Sequence, residues 1–328
     1  MKEATSDIAV LVPGRLHEHA LARIEAAFNV IRIDRADPAL ITPAIADSVR
    51  GIAAMTTISA EFIDALPKLE IIANFGVGYD AVDAKHAGAN SIMVTNTPDV
   101  LTEEVADTAI GLLLNTVREL PKAEAWLRAG RWVSEGNYPL TRTTLRGRRA
   151  GIFGMGRIGL AIARRLDAFG IPVSYHNRRA VEGVTYPWHA SLVDLARSVD
   201  TLISVAPGGA ATEKAVGRTV LEALGPDGVF INIGRGSTVD EEALAQALAD
   251  GTIMAAGLDV FRNEPHVPEA LLALDNISLL PHVGSASLYT RKAMAGLVAD
   301  NLDAWFSTGE AMTPVPECTH VRRRDAGK

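Results

Sequence analysis

Three glycines at positions 154, 156 and 159 constrain the fold of this chain more than any other feature. The first glycine ends an apolar stretch, residues 149–154, which predicts a β-strand. The third lies in the first turn of an amphipathic stretch, residues 157–169, which predicts an α-helix. The first glycine allows a sharp turn, the second lets backbone approach a pyrophosphate, and the third lets helix and strand pack closely. The motif predicts a dinucleotide site at the helix N-terminus. The alternative is a glycine turn in an ordinary α/β domain.

The end of the next predicted strand indicates which dinucleotide binds. A carboxylate there would accept the hydrogen bonds of a ribose 2′-hydroxyl and would repel a 2′-phosphate. This chain instead has Asn177, Arg178 and Arg179, and two guanidinium groups can bind a phosphate through paired hydrogen bonds. We therefore expect NADP as the cofactor, with NADPH preferred over NADH. The alternative is that both arginines are solvated surface residues.

Short β-rich stretches alternate with amphipathic ones from residue 8 onward, which predicts an α/β fold with parallel sheets. A longer helical pattern, residues 102–127, predicts a helix that joins two domains, and 328 residues suffice for two cores. The predicted strands cover residues 8–12, 30–33, 52–57, 69–75, 91–95, 149–154, 171–176, 201–205, 228–233, 253–258 and 277–280. The other predicted helices cover residues 16–28, 157–169, 241–248 and 288–306.

Composition excludes several classes of protein. A net charge of −7 argues against a general nucleic-acid binder, which needs a concentrated cationic face. The single cysteine, Cys318, allows no intrachain disulfide and no cysteine-rich metal site, and the histidines show no metal-ligand spacing. No apolar run approaches 18 residues, so neither secretion nor a membrane span is indicated. We expect a cytoplasmic protein without a metal.

Arg235, Glu264 and His282 each follow a different predicted strand. Ligands of parallel α/β sheets bind at the carboxyl ends of the strands, so these residues are expected near one another. Reduction of a 2-oxo acid by hydride needs a cation for the carboxylate, a polarised carbonyl and a proton donor. Arginine supplies the first two, and histidine, oriented by a carboxylate, supplies the third. Each residue alone has a bland alternative, a surface ion pair or a loop histidine, but together they predict hydride transfer to a small 2-oxo acid.

The order and spacing of the motifs resemble the D-isomer-specific 2-hydroxyacid dehydrogenase family, in its glyoxylate, hydroxypyruvate or hydroxyphenylpyruvate reductase branch. Besides the glycine motif, the matching segments are Gly76-Val77-Gly78-Tyr79-Asp80, Val100-Leu101-Thr102, Gly234-Arg235-Gly236, Gly257-Leu258-Asp259-Val260-Phe261, Asn263-Glu264-Pro265 and Pro281-His282-Val283-Gly284. The resemblance covers nearly the whole chain. It implies two Rossmann-like or flavodoxin-like domains with parallel sheets. A dinucleotide domain, residues 97–287, is inserted into a substrate domain, residues 1–96 and 288–328.

The resemblance also implies roles for individual residues. Arg235 binds the substrate carboxylate and carbonyl, while His282, supported by Glu264, protonates the carbonyl oxygen. The N–H groups of Val77 and Gly78 bind the carboxylate. Asp259 bonds the nicotinamide carboxamide, and Trp132 reaches the substrate site of a second subunit in a homodimer. The expected cofactor contacts are Gly154, Met155, Gly156, Arg157, Ile158, Gly159, Asn177, Arg178, Arg179, Ala206, Pro207, Thr212, Ile233, Arg235, Asp259, His282 and Gly284.

These observations predict an NADP(H)-dependent oxidoreductase that reduces glyoxylate, hydroxypyruvate or hydroxyphenylpyruvate to a D-2-hydroxy acid. The alternative from another class is a corepressor or redox sensor on the same fold, which would use dinucleotide occupancy as a signal. The intact set of arginine, glutamate and histidine favours the enzyme. Turnover of a 2-oxo acid distinguishes the two.

Overall fold

The computed structural model describes residues 5–323, so the first and last few residues of the predicted substrate domain, 1–4 and 324–328, lie outside the described residues. The chain divides into two compact units. The continuous unit comprises Thr102–Ala286. The two-segment unit comprises the residues up to 101 together with those from 287 onward.

Helices and strands alternate in both units. The first segment contains strands β1 (Ala9–Pro13), β2 (Asn29–Ile33), β3 (Val49–Ala54), β4 (Ile71–Asn74) and β5 (Met93–Thr95) and helices α1 (Glu18–Ala27), α2 (Pro43–Ala46), α3 (Ala60–Asp64) and α4 (Ala84–Ala89). The continuous unit contains helices α5 (Thr102–Arg118), α6 (Leu120–Arg128), α7 (Arg131–Ser134), α8 (Arg157–Ala168), α9 (Leu192–Ser198), α10 (Arg218–Leu224), α11 (Glu241–Ala249) and α12 (Glu269–Leu272). Its strands are β6 (Ala150–Phe153), β7 (Val173–His176), β8 (Trp188–His189), β9 (Thr201–Ser204), β10 (Val229–Asn232), β11 (Ala255–Leu258) and β12 (Ile277–Leu279). The last segment contains helix α13 (Leu288–Thr308).

A five-stranded parallel sheet in the order β2-β1-β3-β4-β5 forms the core of the two-segment unit. Every residue of β1 and β4 is buried, as expected for apolar strands covered on both faces. Helix α13 packs on α1 and β4, and an ion pair of 2.8 Å joins Arg23 of α1 to Asp300 of α13. The C-terminal helix is therefore an integral part of this unit.

A seven-stranded parallel sheet in the order β12-β11-β10-β9-β6-β7-β8 forms the core of the continuous unit. Its central strands β6, β9, β10 and β11 are buried throughout. Helix α5 packs against α8 and against β10 and β11. The sequence did not predict β8, a two-residue strand at the sheet edge, because two residues are too few to show a periodicity.

The helix predicted over residues 102–127 is in fact two helices. Helix α5 ends at Arg118, and Glu119 adopts a left-handed backbone conformation with φ of 50° before α6 begins at Leu120. Pro121 stands in the first turn of α6, where the missing N–H of proline is tolerated, but inside a longer helix it would remove a hydrogen bond. The prediction of one helix was wrong because the helical periodicity continues across this break.

Within residues 5–323, no helix has both the length and the apolar character needed to cross a membrane.

Candidate active site

The predicted catalytic residues follow three neighbouring strands of the continuous unit. Residue Asn232 of β10 pairs with Leu258 of β11, and Leu258 pairs with Leu279 of β12, so the three strands end at the same level. Arg235 lies just beyond β10 and His282 just beyond β12. The loop after β11 carries both Asp259 and Glu264. The sheet register therefore places these side chains along one edge, as the sequence predicted.

His282 and Glu264 form a direct pair. The ring nitrogen Nδ1 of His282 lies 2.7 Å from Oε2 of Glu264, and Oε1 of Glu264 accepts the N–H of Phe261 at 2.9 Å. An ionised carboxylate only accepts hydrogen bonds, so Nδ1 carries the proton in this pair. The second ring nitrogen, Nε2, is then the atom that can hold or donate a proton. The His282 side chain is 48% exposed, which leaves it accessible to a ligand.

The loop that carries His282 is held by Asp259. The φ of His282 is 53°, a left-handed conformation that residues with a Cβ seldom adopt. Its N–H donates to the Asp259 carbonyl at 2.8 Å, and the two carboxylate oxygens of Asp259 accept the N–H groups of Val283 at 2.7 Å and Gly284 at 2.9 Å. Burial raises the pKa of the Asp259 carboxyl, and these two backbone donors oppose that rise. Asp259 therefore positions His282; its contact with a carboxamide stays a prediction.

Two buried polar side chains hold the backbone of Arg235. Its carbonyl accepts hydrogen bonds from Nδ2 of Asn232 at 3.0 Å and from Oγ1 of Thr238 at 2.7 Å. Oδ1 of Asn232 accepts the N–H of Gly234 at 3.1 Å. Both Asn232 and Thr238 have no exposed surface. The main chain at Arg235 is thus held in place. The residue is half-buried, and Nη1 of its guanidinium donates to the Gly234 carbonyl at 2.8 Å. A guanidinium has five N–H donors, so one such bond does not exhaust its capacity to bind an anion.

The glycine motif has the geometry that a dinucleotide needs. Gly154 has φ of +107°, and a Cβ there would lie 2.7 Å from the backbone nitrogen of Ala206, so a larger residue does not fit. At Gly156, by contrast, a Cβ would have no described atom within 4 Å. Helix α8 begins directly after Gly156, which has no side chain to cap it. Open space before an uncapped helix N-terminus fits a pyrophosphate group.

Asn177 fastens the glycine loop to the end of β7. Its Oδ1 accepts the N–H of Met155 at 2.6 Å, and its Nδ2 donates to the Met155 carbonyl at 3.4 Å. Arg178 and Arg179, the next two residues, are exposed. Neither makes an ion pair or a hydrogen bond with any residue between 5 and 323. Both guanidinium groups are therefore available to a ligand bound along the glycine loop.

The remaining predicted cofactor residues follow strands β9, β10 and β12 or lie in the first turn of helix α8. Ala206 and Pro207 follow β9, and Oγ1 of Thr212 donates to the Pro207 carbonyl at 2.6 Å. Gly284 packs against Ile233, since a Cβ on Gly284 would lie 3.4 Å from the end of that side chain. Arg157 and Ile158 open helix α8, and Gly159 follows them.

Val77 and Gly78 belong to a loop after β4 in the two-segment unit. Gly76, which opens the loop, has φ of +153°, a conformation available to glycine. Within residues 5–323, the N–H groups of Val77 and Gly78 have no hydrogen-bond acceptor. Two adjacent free N–H groups can bind an anion such as a carboxylate.

Two residues that support this loop were missed in the sequence. Asn74 and Asn96 donate side-chain hydrogen bonds to its carbonyl groups. Asn74 is the last residue of β4, and Asn96 follows β5 directly. Polar residues at strand ends are the signal that identified Arg235 and His282, and the same signal would have identified these two asparagines.

Trp132 lies in the short helix α7 and is 59% exposed. Its indole N–H donates to Oδ1 of Asn137 at 3.2 Å. No group of three histidine, cysteine, aspartate or glutamate side chains that could hold a metal ion occurs within residues 5–323.

Comparison with known proteins identifies relatives of the whole chain. Residues 110–284, which fall inside the continuous unit, match the sequence profile "D-isomer specific 2-hydroxyacid dehydrogenase, NAD binding domain". The chain is 61% identical to the NADPH-dependent glyoxylate/hydroxypyruvate reductase of Sinorhizobium meliloti, solved in complex with NADP and malonate; the match covers 97% of this chain and 99% of that one, with a TM-score of 0.95. It is 43% identical to glyoxylate/hydroxypyruvate reductase A of Arabidopsis thaliana over 94% of this chain and 99% of the relative. It is 48% identical to hydroxyphenylpyruvate reductase of Plectranthus scutellarioides over 82% of this chain and 86% of the relative.

These relatives confirm three of the predictions from sequence. The α/β fold with parallel sheets is that of a solved relative, and the chain is an oxidoreductase of a family that binds NAD(P). All three proteins named above are reductases, so they lend no support to the corepressor alternative. The chain belongs to the D-isomer specific 2-hydroxyacid dehydrogenase family.

Proposed function

We propose that this protein is an NADPH-dependent reductase that converts glyoxylate, hydroxypyruvate or hydroxyphenylpyruvate to the D-2-hydroxy acid. The observation that carries the proposal is the 2.7 Å pair of His282 and Glu264, which follow β12 and β11 at the sheet edge where Arg235 follows the neighbouring strand β10. Arg235 is the cation, and His282, oriented by Glu264, is the acid that reduction of a 2-oxo acid requires. The names of the relatives support the choice of substrates and cofactor.

Each residue has a defined part in the proposed reaction. Arg235 binds the substrate carboxylate and polarises the carbonyl, and the N–H groups of Val77 and Gly78 bind the carboxylate. NADPH, when bound, supplies the hydride that the carbonyl carbon accepts. The protonated His282 donates its Nε2 proton to the carbonyl oxygen, which completes the hydroxyl group and leaves the imidazole neutral. Glu264 stabilises the imidazolium before this transfer and keeps the ring oriented through Nδ1.

The two units are proposed to divide the binding work. We assign the dinucleotide to the continuous unit, which carries the glycine loop and the profile match, and the substrate-domain role to the two-segment unit. The predicted boundary between residues 96 and 97 lies five residues before the start of the continuous unit at Thr102. We also propose a cytoplasmic location, which a single free and buried thiol, Cys318, fits.

Steady-state reduction of a panel of 2-oxo acids, each with NADPH and with NADH, tests this function. We expect turnover of glyoxylate and hydroxypyruvate, a D-configured product where the product is chiral, and a higher kcat/KM with NADPH. Binding of NADPH without turnover of any 2-oxo acid would favour the sensor alternative. A higher kcat/KM with NADH would contradict the cofactor assignment alone.

The double variant Arg178→Gln, Arg179→Gln is expected to lower kcat/KM for NADPH while that for NADH changes little. A hydrogen bond to a charged group contributes about 1.5–3 kcal/mol, so we expect a loss of roughly 10- to 100-fold. The matched control is Arg197→Gln, since Arg197 is exposed and pairs with Asp194 on the same helix. Equal losses with both cofactors would show that the two arginines do not read the 2′-phosphate.

We propose that the chain forms a homodimer through the segment that carries Trp132. Residues 127–140 expose four large apolar side chains: Leu127 is 54% exposed, Trp132 59%, Val133 95% and Leu140 98%. Four exposed apolar side chains within one short segment are the material for a surface that another protein covers. In this arrangement Trp132 contributes to the substrate site of the second subunit.

Light scattering is expected to give twice the chain mass of 34.8 kDa. The variant Val133→Glu, Leu140→Glu is expected to shift the mass to that of one chain, because burial of a carboxylate opposes association. Leu272→Glu is the control, since Leu272 is also 58% exposed but lies in α12. A single-chain mass for the unaltered protein would refute the dimer.

A further inference from the structure

The loop Gly76-Val77-Gly78, here called the carboxylate loop, is tethered through all three of its carbonyl oxygens. Nδ2 of Asn74 donates to the carbonyls of Gly76 at 3.2 Å and Gly78 at 3.1 Å. Nδ2 of Asn96 donates to the carbonyl of Val77 at 2.8 Å. The N–H groups of Val77 and Gly78 have no acceptor within residues 5–323. The carbonyl groups of this loop thus have donors, whereas two of its N–H groups are left for a ligand.

Peptide geometry links the direction of each carbonyl group to that of the N–H group that follows it. In a trans peptide the carbonyl oxygen of one residue points away from the N–H of the next. A hydrogen bond to the Gly76 carbonyl therefore orients the N–H of Val77. A hydrogen bond to the Val77 carbonyl orients the N–H of Gly78 in the same way. The Gly76 carbonyl has a second donor, the N–H of Thr97 at 2.9 Å. The Val77 carbonyl has Asn96 as its donor, so the direction of the Gly78 N–H depends on that side chain.

Asn96 is held in turn by the chain that follows the last helix. The Asn96 carbonyl accepts a hydrogen bond from Oγ1 of Thr313 at 2.7 Å, and the Asn96 N–H donates one to the Thr313 carbonyl at 3.3 Å. The Thr313 hydroxyl in turn accepts a hydrogen bond from Nδ2 of Asn301 at 2.9 Å. Asn301 is fully buried in α13, and its Oδ1 accepts the N–H groups of Met312 and Thr313, both at 3.0 Å. A connected series of hydrogen bonds therefore runs from α13 to the carboxylate loop.

We infer that Asn96 is a positioning residue for the substrate carboxylate. It fixes the peptide between Val77 and Gly78 so that the Gly78 N–H faces the carboxylate, and Thr313 and Asn301 fix Asn96. This inference rests on the proposed binding of the carboxylate by Val77 and Gly78. Without the tether the peptide can rotate, since glycine permits most backbone conformations. A rotated peptide presents the Val77 carbonyl oxygen to the carboxylate, and the partial negative charge on that oxygen repels the carboxylate.

The first test is Asn96→Ala in the full-length protein. We expect KM for the 2-oxo acid to rise roughly 10- to 100-fold, the range for a lost hydrogen bond to a charged group, with a smaller change in kcat. The inhibition constant of malonate, which carries carboxylates but no reducible carbonyl, is expected to rise by a similar factor. KM for NADPH should stay unchanged, which a general loss of structure would not produce. Asn90→Ala, at the exposed asparagine that caps the C-terminus of α4, is the matched control.

The second test changes Thr313, which holds Asn96, and leaves Asn96 itself unaltered. Thr313→Val removes the hydroxyl that joins Asn301 to Asn96, whereas Thr313→Ser keeps it. We expect the valine variant to raise the same KM and inhibition constant by a smaller factor, and the serine variant to retain the unaltered values. This pair provides the test if Asn96→Ala does not fold.

The outcomes separate the inference from the proposed function. If the unaltered protein reduces no 2-oxo acid, the proposed function fails. If it does reduce one, and a folded Asn96→Ala variant keeps its KM and its malonate inhibition constant, the positioning role alone is refuted. Equal losses in kcat and in NADPH binding would likewise refute it, because they would indicate a structural role.

Discussion

Replacement of His282 by glutamine is expected to lower kcat by about 10²- to 10⁴-fold, the range for loss of a general acid. Glutamine is polar and of similar size, but it has no ring nitrogen that can take up and release a proton near neutral pH. Binding of NADPH should change far less than kcat, because His282 is one of many expected cofactor contacts and the hydrogen bond of Asn177 to the glycine loop does not involve it. Steady-state kinetics with glyoxylate, together with a fluorescence titration of NADPH, measures both quantities.

Two further variants define what the His282 result means. His86→Gln is the matched control, since His86 lies in α4 and pairs with Asp64 at 2.6 Å in the other unit. Glu264→Gln should lower kcat less than His282→Gln, because the amide oxygen of glutamine can still accept a hydrogen bond from Nδ1–H but has no charge to stabilise the imidazolium. An unchanged kcat in His282→Gln would end the assignment of this residue as the acid.

Replacement of Arg235 by alanine is expected to lower kcat/KM by roughly 10²- to 10³-fold, the loss measured when one donor to a developing oxyanion is removed. Both parameters should change, because the guanidinium is proposed to bind the carboxylate in the ground state and to polarise the carbonyl in the transition state. Arg235→Lys should recover only part of the loss, since an ammonium group keeps the charge but not the paired N–H geometry.

Addition of free guanidinium to Arg235→Ala provides a sharper measurement than the loss alone. Partial recovery of kcat is expected, because the small cation can occupy the space that the side chain vacates. Arg218→Lys is the matched control, since Arg218 forms ion pairs with Glu222 and Asp250 in the same unit. If Arg235→Ala raised KM but left kcat unchanged, the carbonyl role would be wrong and the carboxylate role would stand.

The parallel α/β class and the family were predictable because they depend on short-range patterns. An apolar run followed by three spaced glycines specifies a strand, a turn and a helix within about a dozen residues. Arg235, Glu264 and His282 could be singled out for a similar reason, since each stands at the end of its own strand. The break between α5 and α6 could not be found from periodicity, because the apolar spacing continues through Glu119 while the backbone does not.

What the sequence alone determined is the set of chemical groups: a glycine turn for a dinucleotide, two arginines after the next strand, and an arginine, a glutamate and a histidine at three strand ends. The tertiary structure decided how those groups are held. Asp259 binds Val283 and Gly284 across 24 and 25 positions, and Thr313 binds Asn96 across 217. The physical reason is that a buried polar group needs a hydrogen-bond partner, and its partner is defined only once distant parts of the chain have packed together.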